Sequence, residues 1–197
     1  AFAQTFADNP DGAPLVWAVP LANIDGVVQG DYGKDNFPYD LNRAWGAPPM
    51  RHETLVIQRD LDRWAARCRP AMILDFHAPA LCETQGVYAF TLDNQGRPAT
   101  ADTLPDIRPW ADRLADALGP YAAKPFTRAA TYASRWETPS LTVHARRDRH
   151  ILAMSFETPY AACDNGNLPL TTDHYRQIGH RFAQALASAL DDGPPAS

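Results

Sequence analysis

Compact apolar runs and helical stripes alternate along the chain. Leu15–Val19, Ala71–His77, Gly86–Thr91, Leu141–Ala145 and His150–Glu157 are short apolar runs bounded by Pro, Gly or polar turn residues, and they predict strands. Between them, apolar residues recur three and four positions apart, as on one face of a helix. Ile57, Leu61, Trp64, Ala65 and Cys68 predict a helix over 51–68. Ile107, Trp110, Leu114, Ala117 and Leu118 predict one starting near Pro105 and stopped by Gly119-Pro120. Tyr175, Ile178, Phe182, Leu186 and Ala189 predict a last helix over 172–190. Phe2 and Phe6, spaced i,i+4, make Ala1–Ala7 the final turns of a helix that ends in Asp8-Asn9-Pro10-Asp11-Gly12. Residues 120–140 read as irregular, and 21–50 as one long loop, a length usually tied to function.

Strands that are apolar throughout, alternating with helices, predict a three-layer α/β domain around a mostly parallel or mixed sheet. The whole of 1–197 reads as one domain with a frayed tail at 191–197. In such folds sites gather at the carboxyl ends of strands. Two predicted strands end in residues capable of chemistry, His77 and Glu157.

Composition narrows the function classes. Of 197 residues, 45% are hydrophobic and 21% charged, so the chain is globular and neither disordered nor coiled coil. No apolar run approaches the ~18 residues a membrane span needs. A net charge of −5 argues against a nucleic-acid surface. Cys68, Cys82 and Cys163 are too scattered for a disulfide scaffold or a Cys-based metal site, and their odd number leans toward a reducing compartment, which favours the cytoplasm. The chain has no initiator Met, and no capping residue precedes its first helix. The expectation is therefore that upstream sequence is missing.

Single residues leave their roles open. His77, at a strand–loop junction, could ligate a metal with a carboxylate orienting its ring. Taken alone, a His there is more often a hydrogen-bonded structural residue. Burial of Glu157 would raise its pKa toward the range of a general base, or pair it in a structural ion pair. Asn42 and Arg43 offer an amide beside a planar fork of donors, suited to a carboxylate, or simply a rigid loop. The cluster from His144 to His150 (H-A-R-R-D-R-H) reads as a solvated turn between two strands rather than as a basic rim or a set of metal ligands. Core packing is the favoured role for Trp136, with pocket lining by Tyr132 or Trp136 as the alternative.

Taken together, these segments resemble a known family. Asn23-Ile24-Asp25-Gly26-Val27, Gly30, and Asp40-Leu41-Asn42-Arg43-Ala44-Trp45 resemble the N-P-D-G-V … D-L-N-R-x-W signature of zinc metallocarboxypeptidases of the carboxypeptidase A type. Asp75-Phe76-His77 is similar to that family's D-x-H strand, and Phe156-Glu157 to the strand bearing its catalytic Glu. The order and approximate spacing agree over roughly residues 15–190. The resemblance implies that His77 is one zinc ligand and that Glu157 is the general base that activates water and then protonates the leaving amine. It implies that Asn42 and Arg43 hold the free carboxylate of a peptide or N-acyl amino acid substrate, and that Asp40 orients a further histidine ligand.

The sequence departs from the family pattern in three places. Ile24 stands where Pro is commoner. The loop before Asp40 carries Lys34 and no Arg, so Lys34 is the candidate for polarising the scissile carbonyl, or else a solvated loop cation. The family's H-x-x-E ligand pair is absent: none of His52, His77, His144, His150, His174 and His180 has Glu three residues later. The expected function is a zinc carboxypeptidase whose remaining ligands lie upstream of Ala1. The alternatives are an N-acyl amino acid deacylase of the same fold and a metal-free module that binds a C-terminal carboxylate.

Overall fold

The computed structural model describes residues 1–8, 10–11, 13–31, 39–93, 95–129 and 137–191. Six helices and six strands follow one another as α1 (Phe2–Asp8), α2 (Ile24–Gln29), α3 (His52–Ala65), β1 (Met72–His77), β2 (Val87–Thr91), α4 (Arg108–Leu118), β3 (Ala122–Ala129), α5 (Leu141–Asp148), β4 (Leu152–Glu157), β5 (Ala162–Cys163), β6 (Leu168–Pro169) and α6 (Thr172–Asp191) among the described residues. A 3-10 turn at Leu41–Arg43 precedes α3.

The main sheet has four strands in the order β1-β4-β2-β3, and β5 and β6 form a separate small ribbon. β1 runs parallel to β4 and β2 parallel to β3, while β2 and β4 are antiparallel. The sheet is therefore mixed and mostly parallel, flanked by helices, as expected for a three-layer α/β domain.

Strand alternation divides the work between the two faces. Val87, Ala89, Met154 and Phe156 point to one face, where they join Leu114 and Leu118 of α4 and Ile178 and Phe182 of α6 in the hydrophobic core. The Phe182 ring meets Phe156 edge-on at 4.9 Å and Phe76 at 5.4 Å, the geometry aromatic quadrupoles favour. α1 lies across α6 so closely that a Cβ on Gly179 would come within 2.9 Å of Ala1 and Phe2, so only glycine fits there. α5 packs over β4 and β1.

Several expectations need correction. Leu15–Val19 is not a strand: it has no regular structure, Leu15, Val16, Trp17 and Val19 are all exposed, and no strand among the described residues pairs with it. Leu141–Ala145 is helix. Ser140 caps α5 by accepting from the Val143 N–H at 3.3 Å, and that capping signal outweighs the β-branched Thr142 and Val143. Residues 120–140 are not all irregular, since Ala122–Ala129 forms the edge strand β3. The sequence A-A-K-P-F-T-R-A lacks strand propensity, and pairing with β2 supplies the order; Pro125 falls in the register irregularity between Ala122 and Thr127, on a strand at the edge of the described sheet, where its missing N–H is tolerated. The loop 21–50 contains α2, capped by Asn23 at its start and by left-handed Gly30 (φ 74°) at its end. α4 starts at Arg108, with Pro109 in its first turn, not near Pro105. The cluster from His144 to His150 is no solvated turn between strands: it lies on and just after α5, with His144 and Arg146 buried. β1 is only half-buried, as suits a strand at the edge of the described sheet, rather than covered on both faces.

Removing the α5 cap tests this assignment. Ser140→Ala should destabilise the fold by about 1 kcal/mol, read from urea unfolding midpoints. An unchanged midpoint would mean that the hydroxyl does not cap the helix.

Candidate active site

The register of β1 and β4 places the two key strand ends side by side. Asp75 is level with Ser155, Phe76 with Phe156, and His77 with Glu157. Across the antiparallel seam, Tyr88 of β2 is level with Glu157. Residues level with one another share a face. Asp75, His77, Tyr88, Ser155 and Glu157 thus stand together on the face opposite the aromatic core.

The imidazole is fixed from two sides. His77 Nε2 lies 2.9 Å from Asp75 Oδ2 and 3.0 Å from Asn42 Nδ2. Ser155 Oγ donates to Asp75 Oδ2 at 3.3 Å. Burial pushes the His77 pKa down, but the bonded Asp75 carboxylate and the charge of Glu157 outweigh it. The imidazole pKa therefore lies above the ordinary histidine value, although the Arg43 cation nearby opposes the rise.

Asn42 and Arg43 reach this place on the 3-10 turn. Asp40 caps that turn by accepting the Asn42 N–H at 2.9 Å. Asn42 Oδ1 accepts from the Leu141 N–H at the start of α5, at 3.1 Å, and Arg43 donates to the Asn42 carbonyl at 2.8 Å. Thr138 Oγ1 donates to the Arg43 carbonyl. Behind the turn, Thr54 of α3 donates to the Ala44 carbonyl at 2.9 Å, and Gln58 bonds both backbone groups of Gly46. Trp45, 4% exposed, stacks on His144 at 6.5 Å, and His144 Nδ1 lies 2.8 Å from Asp148.

The structure therefore brings together His77, Glu157, Asn42, Arg43 and Asp40. Lys34, Tyr132 and Trp136 lie outside the described residues. The reading of single residues assigned no role to Asp75, Tyr88 or Arg128. Asp75 and Tyr88 follow from strand alternation once the register is known. Arg128 sits over the Tyr88 ring at 4.1 Å and bonds Glu83 and Gln85; the sequence pattern does not predict β3 and so carries no signal for it. Two surface grooves lie away from these residues, one lined by Arg69, Trp110 and Arg146 and one by Gln58, His144 and Asp148. The candidate site is the open tip of the sheet.

The donor set does not by itself make a catalytic zinc centre. Such a centre takes three protein ligands and an open position. Among the described residues no group of three or more His, Cys, Asp or Glu could hold a metal ion. No helix among them is long and apolar enough to cross a membrane.

No family model matches the chain, and no curated protein sequence matches it. Its fold does match solved structures. A metallo-carboxypeptidase from Pseudomonas aeruginosa, in complex with (2-guanidinoethylmercapto)succinic acid, superposes with a TM-score of 0.59 at 18% identity, covering 88% of this chain and 45% of that one. A metallo-carboxypeptidase from Burkholderia cenocepacia gives 0.55 at 20% identity, with 88% and 45% covered. The chain has the metallo-carboxypeptidase fold and spans less than half the length of these structures.

The ion pair beside His144 has a pH signature. Arg147 beside Asp148, with burial opposing and His144 assisting, holds the Asp148 carboxyl at about 2. Its folded pKa is depressed, so its contribution is present above the ordinary aspartate value and lost as pH falls from there toward about 2. The stability gap between the native chain and Asp148→Asn should be on the order of 1 kcal/mol near neutrality, after screening of a partly exposed pair. It should close over that acidic window, measured by denaturant unfolding across pH. A gap that does not vary with pH would contradict the assignment.

Proposed function

We propose that this chain carries the carboxylate-binding and proton-transfer side of a metallocarboxypeptidase-type hydrolase, which removes a C-terminal amino acid from a peptide. The observation that carries this reading is the level pairing of His77 with Glu157 beside the Asn42–Arg43 turn. The fold supports it, and so does the order of the motifs.

In this reading Arg43 offers its planar fork to the substrate's terminal carboxylate, with the Asn42 amide beside it. Glu157, one strand over from His77, takes the proton of the attacking water and returns it to the departing amine nitrogen. That transfer balances: the water proton ends on the new amine, and the carboxylate is restored. Tyr88, level with Glu157, forms the far wall with Arg128. Zinc is the proposed metal, with His77 as one ligand, and the other ligands have to come from residues outside the described set. Asp40 would orient one of these, and Lys34 would polarise the scissile carbonyl. The ligand of the Pseudomonas structure is a succinic acid derivative, and its carboxylates suit such a clamp.

The test is turnover by the zinc-loaded protein on peptides with a free C-terminus and on N-acyl amino acids. Glu157→Gln should lower turnover by roughly 10²–10⁴-fold with metal content unchanged, because it removes the base and no ligand. Arg43→Ala should act chiefly on KM, since it removes ground-state binding. Turnover of Glu157→Gln close to the native rate would sink the proposal. Preference for N-acyl amino acids would point to deacylation, and carboxylate binding without metal or turnover would point to a binding module.

A further inference from the structure

A groove of about 690 Å³ opens at the amino-terminal end of the main sheet, where Ala71 leads into β1 and Leu152 begins β4. That volume lies in the range of small-molecule sites. Met72 is level with Leu152 at this end, and His77 with Glu157 at the other. The groove therefore stands roughly 16 Å of strand away from the candidate active site.

Cationic groups gather at this groove, although the chain as a whole carries a net charge of −5. Arg69, Arg146 and His150 line it, and Asp106 is the one carboxylate among its described lining residues. Arg146 is 8% exposed, and its Nη2 donates to Asp106 Oδ2 at 2.9 Å. Its charge is thus fixed at the groove wall and not free to swing into solvent. Arg69 and His150 are exposed, and their side chains make no hydrogen bond or ion pair among the described residues.

His150 is also held at a cost. It follows α5 with φ 54°, in the left-handed region, while the Ile151 N–H closes the helix end on the Ala145 carbonyl at 3.0 Å. Glycine is the usual residue at such a position, because it meets no Cβ penalty there. A side chain kept in a strained conformation, with no structural partner, points to a role outside the fold.

The chemistry of the walls selects the occupant. Arg69 and Arg146 outweigh Asp106 by one positive charge, and the His150 imidazole adds a further polar contact. A phosphate monoester carries about 1.5 to 2 negative charges near neutrality and offers three acceptor oxygens, where a carboxylate has one charge and two oxygens. Guanidinium forks match phosphate oxygens two at a time. Trp110 and Leu190 supply an apolar wall beside these groups, which suits an organic body and not a bare ion.

We propose that this groove binds a small phosphate monoester with an aromatic or apolar body, its phosphate held by Arg69, Arg146 and His150 and its body against Trp110 and Leu190. The site is separate from the strand tips, and the proposal does not rest on the function proposed for them.

The experiment titrates phenyl phosphate into the ¹⁵N-labelled full chain. The amide signals of Ala71, Ile151 and Leu152 and the Trp110 indole N–H should shift saturably. Inorganic phosphate lacks the ring, benzoate the phosphate and phenol the charge, so each should bind at least about tenfold more weakly. Arg69→Ala and His150→Gly, both at exposed positions that leave Arg146 and Asp106 paired, should each weaken phenyl phosphate by about tenfold. His150→Gly should at the same time raise the urea unfolding midpoint, because it relieves the left-handed strain. A purely structural His150 would change stability and leave affinity alone. The proposal is overturned by the absence of a saturable shift, by shifts confined to Asn42 and Arg43, or by an affinity that either variant leaves unchanged. Inorganic phosphate or benzoate binding as tightly as phenyl phosphate, or a midpoint lowered in His150→Gly, overturns it equally.

Discussion

The in-register parallel pairing of β1 with β4 is the constraint on which the rest of the site depends. Strand side chains alternate with a period of two, so a slip of one residue would turn Glu157 toward the aromatic core and bring Phe156 to the site. The register is held from the opposite face. Phe76 and Phe156 are level and their rings lie 5.7 Å apart, and both meet Phe182. Phe156 and Phe182 are buried and Phe76 packs on them from the half-exposed edge strand; burial of aromatic side chains is among the larger single contributions a core can make. Hydrophobic packing on one face thus fixes the placement of an imidazole and a carboxylate on the other.

The second requirement is a rigid turn at the strand tips, and a single short 3-10 turn, Leu41–Arg43, has to supply it. The Asp40–Gly46 segment is ordered by side chains reaching in from α3 and α5. Thr54 and Gln58, both buried, satisfy backbone groups of Ala44 and Gly46 that would otherwise be costly to desolvate. The first turn of α5 offers the Leu141 N–H, one of the donors a helix start leaves without an intrahelical partner, and Asn42 takes it. Trp45 wedges against His144. Ordering a loop costs conformational entropy at every residue, and these satisfied buried contacts offset that cost where function needs a fixed geometry.

Much of this was legible in the sequence, and the rest was hidden for identifiable reasons. Ala71–His77 and His150–Glu157 announced themselves because each is an apolar run that ends in a chemically able residue, and the long helices showed their stripes. The motif carrying Asn42 and Arg43 could be recognised, but its supports could not, since Thr54, Gln58 and Leu141 act across distances that no local pattern encodes. β3 was invisible because Lys124, Pro125 and Arg128 suppress strand propensity and the partner strand supplies the order. α5 looked like a strand because Thr142 and Val143 are β-branched, while the decisive signal was Ser140. Leu15–Val19 shows the reverse failure: an apolar run states a wish for burial, but only a neighbouring strand makes it a strand.

Asp75, Phe76 and His77 show how closely stability and chemistry are interleaved. Three consecutive residues serve two faces: the outer pair builds the site and the middle one packs on Phe182. The site cannot be adjusted without disturbing the core, because both hang on the same backbone. A shift of about 1 Å in the placement of reacting groups can cost two orders of magnitude in rate. An aromatic cluster that pins β1 and β4 at a fixed height is therefore as much a part of the site's geometry as the groups that would touch a substrate. Its value lies in rigidity as well as in buried area, and close-packed interiors transmit strain in just this way.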